Sequence, residues 1–323
     1  MESSPESGGF LGLELPLVDD FPQRGVPLNS GRNALEYILT ALGNVRRVYL
    51  PLYTCPSLLT PLQRLGIPFE RYLINDSLEP DEYAPPCPRE GEYVLYTNYF
   101  GVKERAVDAL AARYSGRIII DNAMALYSPP RPGVPTFYSP RKFSGLPDGG
   151  IACLNGSDTL PPPPDTSYET AGFLLHALDC GLAAAAPGAE ANEQRLDRAP
   201  LRGMSPLTER LMRSIGYKAA GVRRRGNFHF LHRELGSINK LRIDPDSVGT
   251  PFCYPFRTNL AELRGYLIDH NIHLPVFWPH LVDSPPFSTE ARISRDLLPL
   301  PVDQRCTLED MRRILSLIRR FMG

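Results

Sequence analysis

Three short stretches of this chain bring reactive groups together in a suggestive order: Ser30-Gly31-Arg32-Asn33, Ile118-Ile119-Ile120-Asp121, and SPRKFSGLPDGG, which runs from Ser139 to Gly150 around Lys142. Lysine is scarce here. Of 35 basic residues only Lys103, Lys142, Lys218 and Lys240 are lysines, and the rest are arginines. Arginine serves wherever charge alone is needed. It cannot form a Schiff base, because its guanidinium stays protonated while a lysine amine can be driven neutral and attack a carbonyl. Lys142 sits at a turn ahead of a tight Pro-Asp-Gly-Gly corner, and Asp121 closes an apolar run 21 residues before it. The Ser-Gly-Arg-Asn stretch opens a helical pattern. A helix start offers unpaired N–H groups and a positive dipole end to a phosphate, to which Arg32 adds a charge-assisted contact.

The elements that hold these groups are legible from periodicity. Residues 30–43 carry apolar side chains at helical spacing (Ala34, Leu35, Ile38, Leu39, Leu42) and stop at Gly43. A short strand ending at Pro51 follows, then a helix over 56–66, the strand FERYLI, the strand EYVLYTNYFG, the helix VKERAVDALAARYSG and the strand RIIID. This rhythm predicts an α/β domain with a largely parallel sheet, in which ligands collect beyond the carboxyl ends of the strands. Further on come the strand GGIACL, a Pro-rich surface connector with four prolines at 161–164, a helical stretch over 169–198 and a long helix over 205–237 broken near Gly216 or Gly221. The VRRRG cluster of that helix, with His229 and His232, reads as a solvated or interface face. After about residue 238, proline-bearing strands (FCYPFR), an amphipathic helix (NLAELRGYLIDHN) and a last helix (LEDMRRILSLIRRFM) predict a small lobe. The expected division is 1–235, a large α/β domain, and 236–323, a smaller α+β domain. With Asp121 at a strand end and Lys142 on the neighbouring turn, the pattern fits pyridoxal phosphate chemistry. The amine condenses with the cofactor aldehyde, and the ionised carboxylate keeps the pyridine nitrogen protonated.

The same stretches resemble the DegT/StrS sugar aminotransferases among the fold-type-I pyridoxal-phosphate enzymes. SGRNALEYIL resembles that family's small-Gly-Thr-x-Ala-Leu helix start, YLPLYTCPS its Pro-x-Tyr/Leu-Thr-Phe segment, IIIDNAMAL its Glu-Asp-Ala-Ala-Gln-Ala strand end. TNYFG stands where the family has His-x-Tyr-Gly, SPRKFSGLPDGG resembles its lysine loop, and LLPLPVDQRCTLEDMRRI its closing run. The resemblance spans about residues 29 to 321. It implies the aspartate aminotransferase-like fold, pyridoxal 5'-phosphate as cofactor, and a homodimer with its sites at the subunit interface. It also implies transfer of an amino group from an amino acid, glutamate by analogy, to a keto-sugar nucleotide for polysaccharide or secondary-metabolite synthesis. Carried over by position, Lys142 is the Schiff-base lysine and proton shuttle, and Asp121 the partner of the pyridine nitrogen. Gly31, Arg32 and Asn33 face the phosphate, Tyr53 and Cys55 lie near one ring face, and Asn98, Met124 and Ser139 complete the cofactor contacts. Several neighbours depart from the family. Cys55 replaces a stacking aromatic, which leaves Tyr53 or Tyr99 to stack. Met124 replaces a glutamine, Phe137 a phosphate-binding serine, Ser139 a histidine and Arg32 a small hydroxyl residue. Two other readings stay open: a pyridoxal-phosphate enzyme doing other chemistry on a sugar, and a catalytically degenerate binding protein on the same fold.

Composition limits the remaining classes. A net charge of −1 carries no nucleic-acid footprint. The opening MESSPESGGFLGLELP lacks a basic, apolar leader, and no run approaches the roughly 20 apolar residues of a spanning helix, so a cytoplasmic protein is expected. Six scattered cysteines and six histidines show no metal-ligand spacing, and free thiols are expected.

Overall fold

The computed structural model describes residues 8–82, 85, 87–154, 160–260, 262–282 and 288–323. The strands that carry the site are β1 (Val26–Leu28), β2 (Arg47–Pro51), β3 (Phe69–Tyr72), β4 (Glu92–Thr97), β5 (Ile118–Asn122), β6 (Thr136–Tyr138) and β7 (Gly150–Cys153). They form one sheet in the order β1-β7-β6-β5-β4-β2-β3. From β6 through β3 the pairs are parallel, whereas β7 runs antiparallel to both β6 and β1. Helices α1 (Gly31–Leu42), α2 (Leu59–Arg64) and α3 (Glu104–Tyr114) connect the first strands. Because both faces are covered, the central strands are apolar throughout instead of alternating with polar residues. The period of two decides which side each residue serves. Ile119 and Leu95 pack under α1 with Leu35, Ile38 and Leu39. Ile118, Ile120, Val94 and Tyr96 join the opposite cluster with Val107 and Leu110 of α3.

After β7 come α4 (Gly172–Cys180), α5 (Leu182–Arg198), α6 (Pro206–Met212) and α7 (Tyr217–Leu235). The helical stretch over 205–237 breaks between Arg213 and Gly216, while Gly221 lies inside α7, where a Cβ would stand 3.2 Å from the Tyr127 ring. The VRRRG cluster divides. Arg223 and Arg225 are exposed, but Arg224 is buried, which corrects the solvated reading for that residue. Its guanidinium donates to Gln304 Oε1 at 2.9 Å and to the Phe252 carbonyl at 3.1 Å, and lies 4.7 Å over the Phe143 ring. The C-terminal part contains β8 (Tyr254–Arg257) paired antiparallel with β9 (Leu297–Leu300), and α8 (Leu263–Asp269), α9 (Thr289–Asp296) and α10 (Leu308–Met322). Phe228 and Leu231 of α7 bind this part to the sheet through one apolar cluster that reaches Met311, Ile314 and Ile318. No described helix is long and apolar enough to cross a membrane.

The Gly-Gly corner explains how the lysine loop meets the start of α1. Gly149 has φ +132°, and a Cβ on Gly150 would stand 2.1 Å from the Ser30 carbonyl oxygen and 2.8 Å from the Gly31 nitrogen. Only glycine permits that approach. Gly150→Ala must therefore push β7 away from α1, and it is expected to cost about 2–3 kcal/mol in urea unfolding. An unchanged midpoint would show that the contact is dispensable. The same loop is tied down by Asp148, which is fully buried and accepts from the Ser167 hydroxyl and, at 3.3 Å, from the Ser205 N–H. Asn192 of α5 donates to the Pro147 carbonyl at 2.6 Å, and Gln304 to the Phe143 carbonyl at 2.8 Å.

Candidate active site

Parallel pairing aligns the carboxyl ends of three strands. Thr97 of β4 is in register with Asp121 of β5, and Asp121 with Phe137 of β6. β6 then enters a tight 3-10 turn, Pro140–Lys142, whose closing N–H at Lys142 donates to the Ser139 carbonyl at 3.1 Å. Consecutive strand ends thereby present the carboxylate and the amine to one cavity of about 190 Å³. Gly31, Arg32, Cys55 and Ser139 line it as well. Lys142 is exposed and also borders a second cavity of about 500 Å³, walled by Arg224, Phe252, His273 and Arg305. Lys142 thus borders both spaces.

Asp121 is buried, with Oδ1 accepting from the Ala123 N–H at 2.8 Å and Oδ2 from the Thr97 hydroxyl at 3.2 Å. Burial raises its pKa above the ordinary aspartate value, and the nearby Lys142 charge and these two hydrogen bonds pull only part of the way back. Such a carboxylate is short of positive charge, and a cation placed in the cavity would relieve it.

Four of the expected contacts lie elsewhere. Asn33 is buried and donates to Asn29 Oδ1 at 2.7 Å and the Pro200 carbonyl at 2.9 Å, fastening the segment before α6 to α1. Asn98 donates to Glu104 Oε1 at 2.9 Å and Asn122 Oδ1 at 3.2 Å. Met124 is part of the apolar cluster beneath the sheet. Tyr53 sits in that cluster too, edge-on to Trp278 at 4.4 Å, and its carbonyl accepts from the Tyr99 hydroxyl at 2.7 Å. Neither Tyr53 nor Tyr99 lines the cavity, which corrects the expectation that one of them stacks there. The physical reason is the tight turn after β2, closed by Thr54 N–H to Leu52 O at 3.0 Å, which sends Tyr53 inward and Cys55 toward the cavity. The apolar walls are instead Leu58, Ala123 and Phe137.

Two charged lining residues were not foreseen. Arg141 precedes the lysine and pairs with Glu193 of α5, while Arg32 pairs with Asp197 of the same helix. Burial, and next the charge of Arg32, push the Arg141 pKa down to about 10. Its Nε is buried and has no hydrogen-bond partner among the described residues. The signal for Arg141 was its place in the lysine turn. For Glu193 there was none, since it approaches from a helix some 50 residues away.

No family model matches this chain, and no curated protein matches it significantly. Solved structures do. A DegT DnrJ EryC1 StrS aminotransferase from Brucella abortus superposes with a TM-score of 0.59 at 14% identity, covering 93% of this chain and 86% of its own. The sugar aminotransferase CalS13 from Micromonospora echinospora gives 0.58 at 16% identity, with 91% and 86% covered. NtdA from Bacillus subtilis, solved with bound cofactor PMP, gives 0.61 at 13% identity, with 94% and 74% covered. At these identities the likeness establishes the fold: the chain has the aspartate aminotransferase-like fold of pyridoxal-phosphate-dependent transferases.

Proposed function

We propose that this protein is a pyridoxal-phosphate-dependent aminotransferase of the DegT/StrS kind, moving an amino group from an amino acid such as glutamate to a keto-sugar nucleotide. One observation carries this reading: Lys142 and the buried, charge-starved Asp121 open from neighbouring strand ends onto the same cavity. The residues present fit the cofactor in three respects. A cationic pyridine ring would supply the charge Asp121 lacks. Gly31 leaves room where a Cβ would stand 3.2 Å from Ser139 Cβ, so the helix start and the Ser139 hydroxyl can approach one phosphate together. Arg141 brings a second guanidinium to the cavity wall beside Arg32. When bound, the cofactor supplies an aldehyde for an amine and a ring that takes up electron density. This chain's own residues would do the rest. Lys142 holds the cofactor and, when released, moves a proton with Nζ. Asp121 fixes charge at the ring nitrogen, while the α1 start, Arg32, Ser139 and Arg141 hold the phosphate. The larger cavity beyond Lys142, with Arg224, His273 and Arg305, would receive the substrates.

The reading includes a homodimer. No residue of α4 is buried, Leu175, Leu178 and Leu182 are exposed, and Leu182 also borders the larger cavity, so an unpartnered apolar surface adjoins the site. A second reading, a degenerate binding protein, draws on Cys55, which lines the cavity where the resembled family has a stacking aromatic. Both are tested together by adding glutamate to the cofactor-loaded protein. An aminotransferase loses the visible band while releasing one equivalent of 2-oxo acid, then regains it on a keto-sugar nucleotide with an amino sugar as product. A band unchanged by any amino acid, or a chain that takes up no cofactor, would overturn the aminotransferase and favour the degenerate protein.

A further inference from the structure

The two arginines at the phosphate end of the cavity are not free. Arg32 and Arg141 keep only 11% and 15% of their side-chain surface in solvent, yet Asp197 and Glu193, which pair with them, keep 57% and 53%. The cations are built into the site, and the carboxylates reach in from outside. Glu193 and Asp197 lie four residues apart and so share one face of α5. That helix is thinly attached. Ala185, Asn192 and Leu196 are its only buried residues, and Asn192 makes the hydrogen bond to the lysine loop at Pro147. The arginines repel one another, and the cluster around Arg141 also takes in Asp148 and Arg195, the latter paired with Asp165 at 3.5 Å. With Arg195 already paired to Asp165, Arg32 and Arg141 call for about two negative charges from their partners. Two carboxylates supply them now, and a phosphate group, at about −1.5 to −2, supplies as many in a single ligand.

We propose that Glu193 and Asp197 form a carboxylate clasp that competes with a phosphate dianion for Arg32 and Arg141, so that occupancy of the phosphate seat releases the C-terminal half of α5 from the cavity. This rests on the cofactor reading above and adds control of access to it. The energetics favour the exchange. Carboxylates that stay half in solvent hold their partners weakly, because water competes for and screens the pair. Guanidinium groups grip phosphate through charge-assisted, often bidentate hydrogen bonds of roughly twice the neutral strength. The clasp closes the arginine cluster when no anion is present and swings away when one arrives.

The test uses inorganic phosphate, which needs no Lys142 chemistry, so it can fail while the cofactor reading stands, and the reverse. Isothermal titration calorimetry of the full chain is compared with that of the E193Q/D197N double variant, whose substitutions lie on half-exposed side chains and leave the core untouched. The double variant is expected to bind phosphate at least about tenfold tighter, because the competing carboxylates are neutral. Hydrogen exchange of the amides in 190–198 should rise when the parent chain binds phosphate, and should already be fast in the double variant without it. Arg141→Met is expected to lose most phosphate affinity. Equal phosphate affinity in parent and double variant, binding by neither, or α5 amides indifferent to phosphate would each overturn the clasp.

Discussion

Lys142→Ala, mixed with pyridoxal 5'-phosphate, reduced with borohydride and denatured, is expected to carry no added mass, whereas the parent chain gains one cofactor. The other three lysines offer no substitute. The Lys103 amine is held by Glu79 at 2.5 Å beneath the sheet, and Lys218 and Lys240 are exposed at the start of α7 and just beyond its end, and none of the three lines the cavity. Lys142→Arg keeps the charge and is expected to fail equally, because guanidinium cannot be deprotonated to attack the aldehyde. That pair of variants separates nucleophile from charge. Loss of the proton shuttle alone removes about 10²–10⁴-fold in rate, so turnover by either variant should fall at least that far. The melting temperature of the cofactor-free protein should hardly move, since the side chain is exposed and no described hydrogen bond or ion pair uses its amine. A Lys142→Ala chain that still retained reduced cofactor at one position would place the chemistry on another amine and end the reading.

The strands of the parallel sheet were legible because each announces itself locally: Ile118-Ile119-Ile120 is apolar on both faces and stops at a carboxylate, and Gly43 and Gly66 end the helices between strands. β1 and β9 were not foreseen. β1 is three residues, VPL, whose ladder partner β7 lies more than 120 residues away, and β9 is LLPL with proline inside, so neither carries a local pattern. Within the site, nearness in sequence did not fix where side chains point. Gly31 and Arg32 face the cavity, but a helix turns about 100° per residue, and Asn33 is already aimed at Pro200. The turn after β2 hides Tyr53 in the same way. Glu193 and Asp197 belong to a helix that sequence patterning placed correctly as a helix, yet only the folded chain brings that helix to the arginines. Arg224 was misplaced because a charged run was read as one face, whereas α7 puts every third or fourth residue inward, among them Ala220, Arg224, Asn227 and Phe228.

Asp121→Asn is expected to act in opposite directions on stability and function. In the cofactor-free protein the folded state raises the Asp121 pKa above its unfolded value, chiefly by burial. The native state then binds that proton more tightly than the unfolded chain does. The stabilisation it gives is complete below the ordinary aspartate range and is lost as pH rises through the folded pKa. Above that folded pKa the ionised group is therefore a burden on the empty protein. Asparagine removes the charge and can keep the acceptor facing the Ala123 N–H, so the variant should melt higher than the parent at pH 7, with the gap closing as pH falls toward 4. Adding cofactor should invert the ranking. The parent gains by mass action from a ligand whose ring cation satisfies the carboxylate, while the variant gains less. Loss of a preorganised charge at the ring nitrogen should also lower turnover by about 10²–10³-fold. A buried carboxylate kept at a cost in the empty protein is what a site prepared for a cation requires. If instead Asp121→Asn melts lower than the parent in the absence of cofactor, the carboxylate serves the fold through Ala123 and Thr97, and its claim to a catalytic role loses its physical basis.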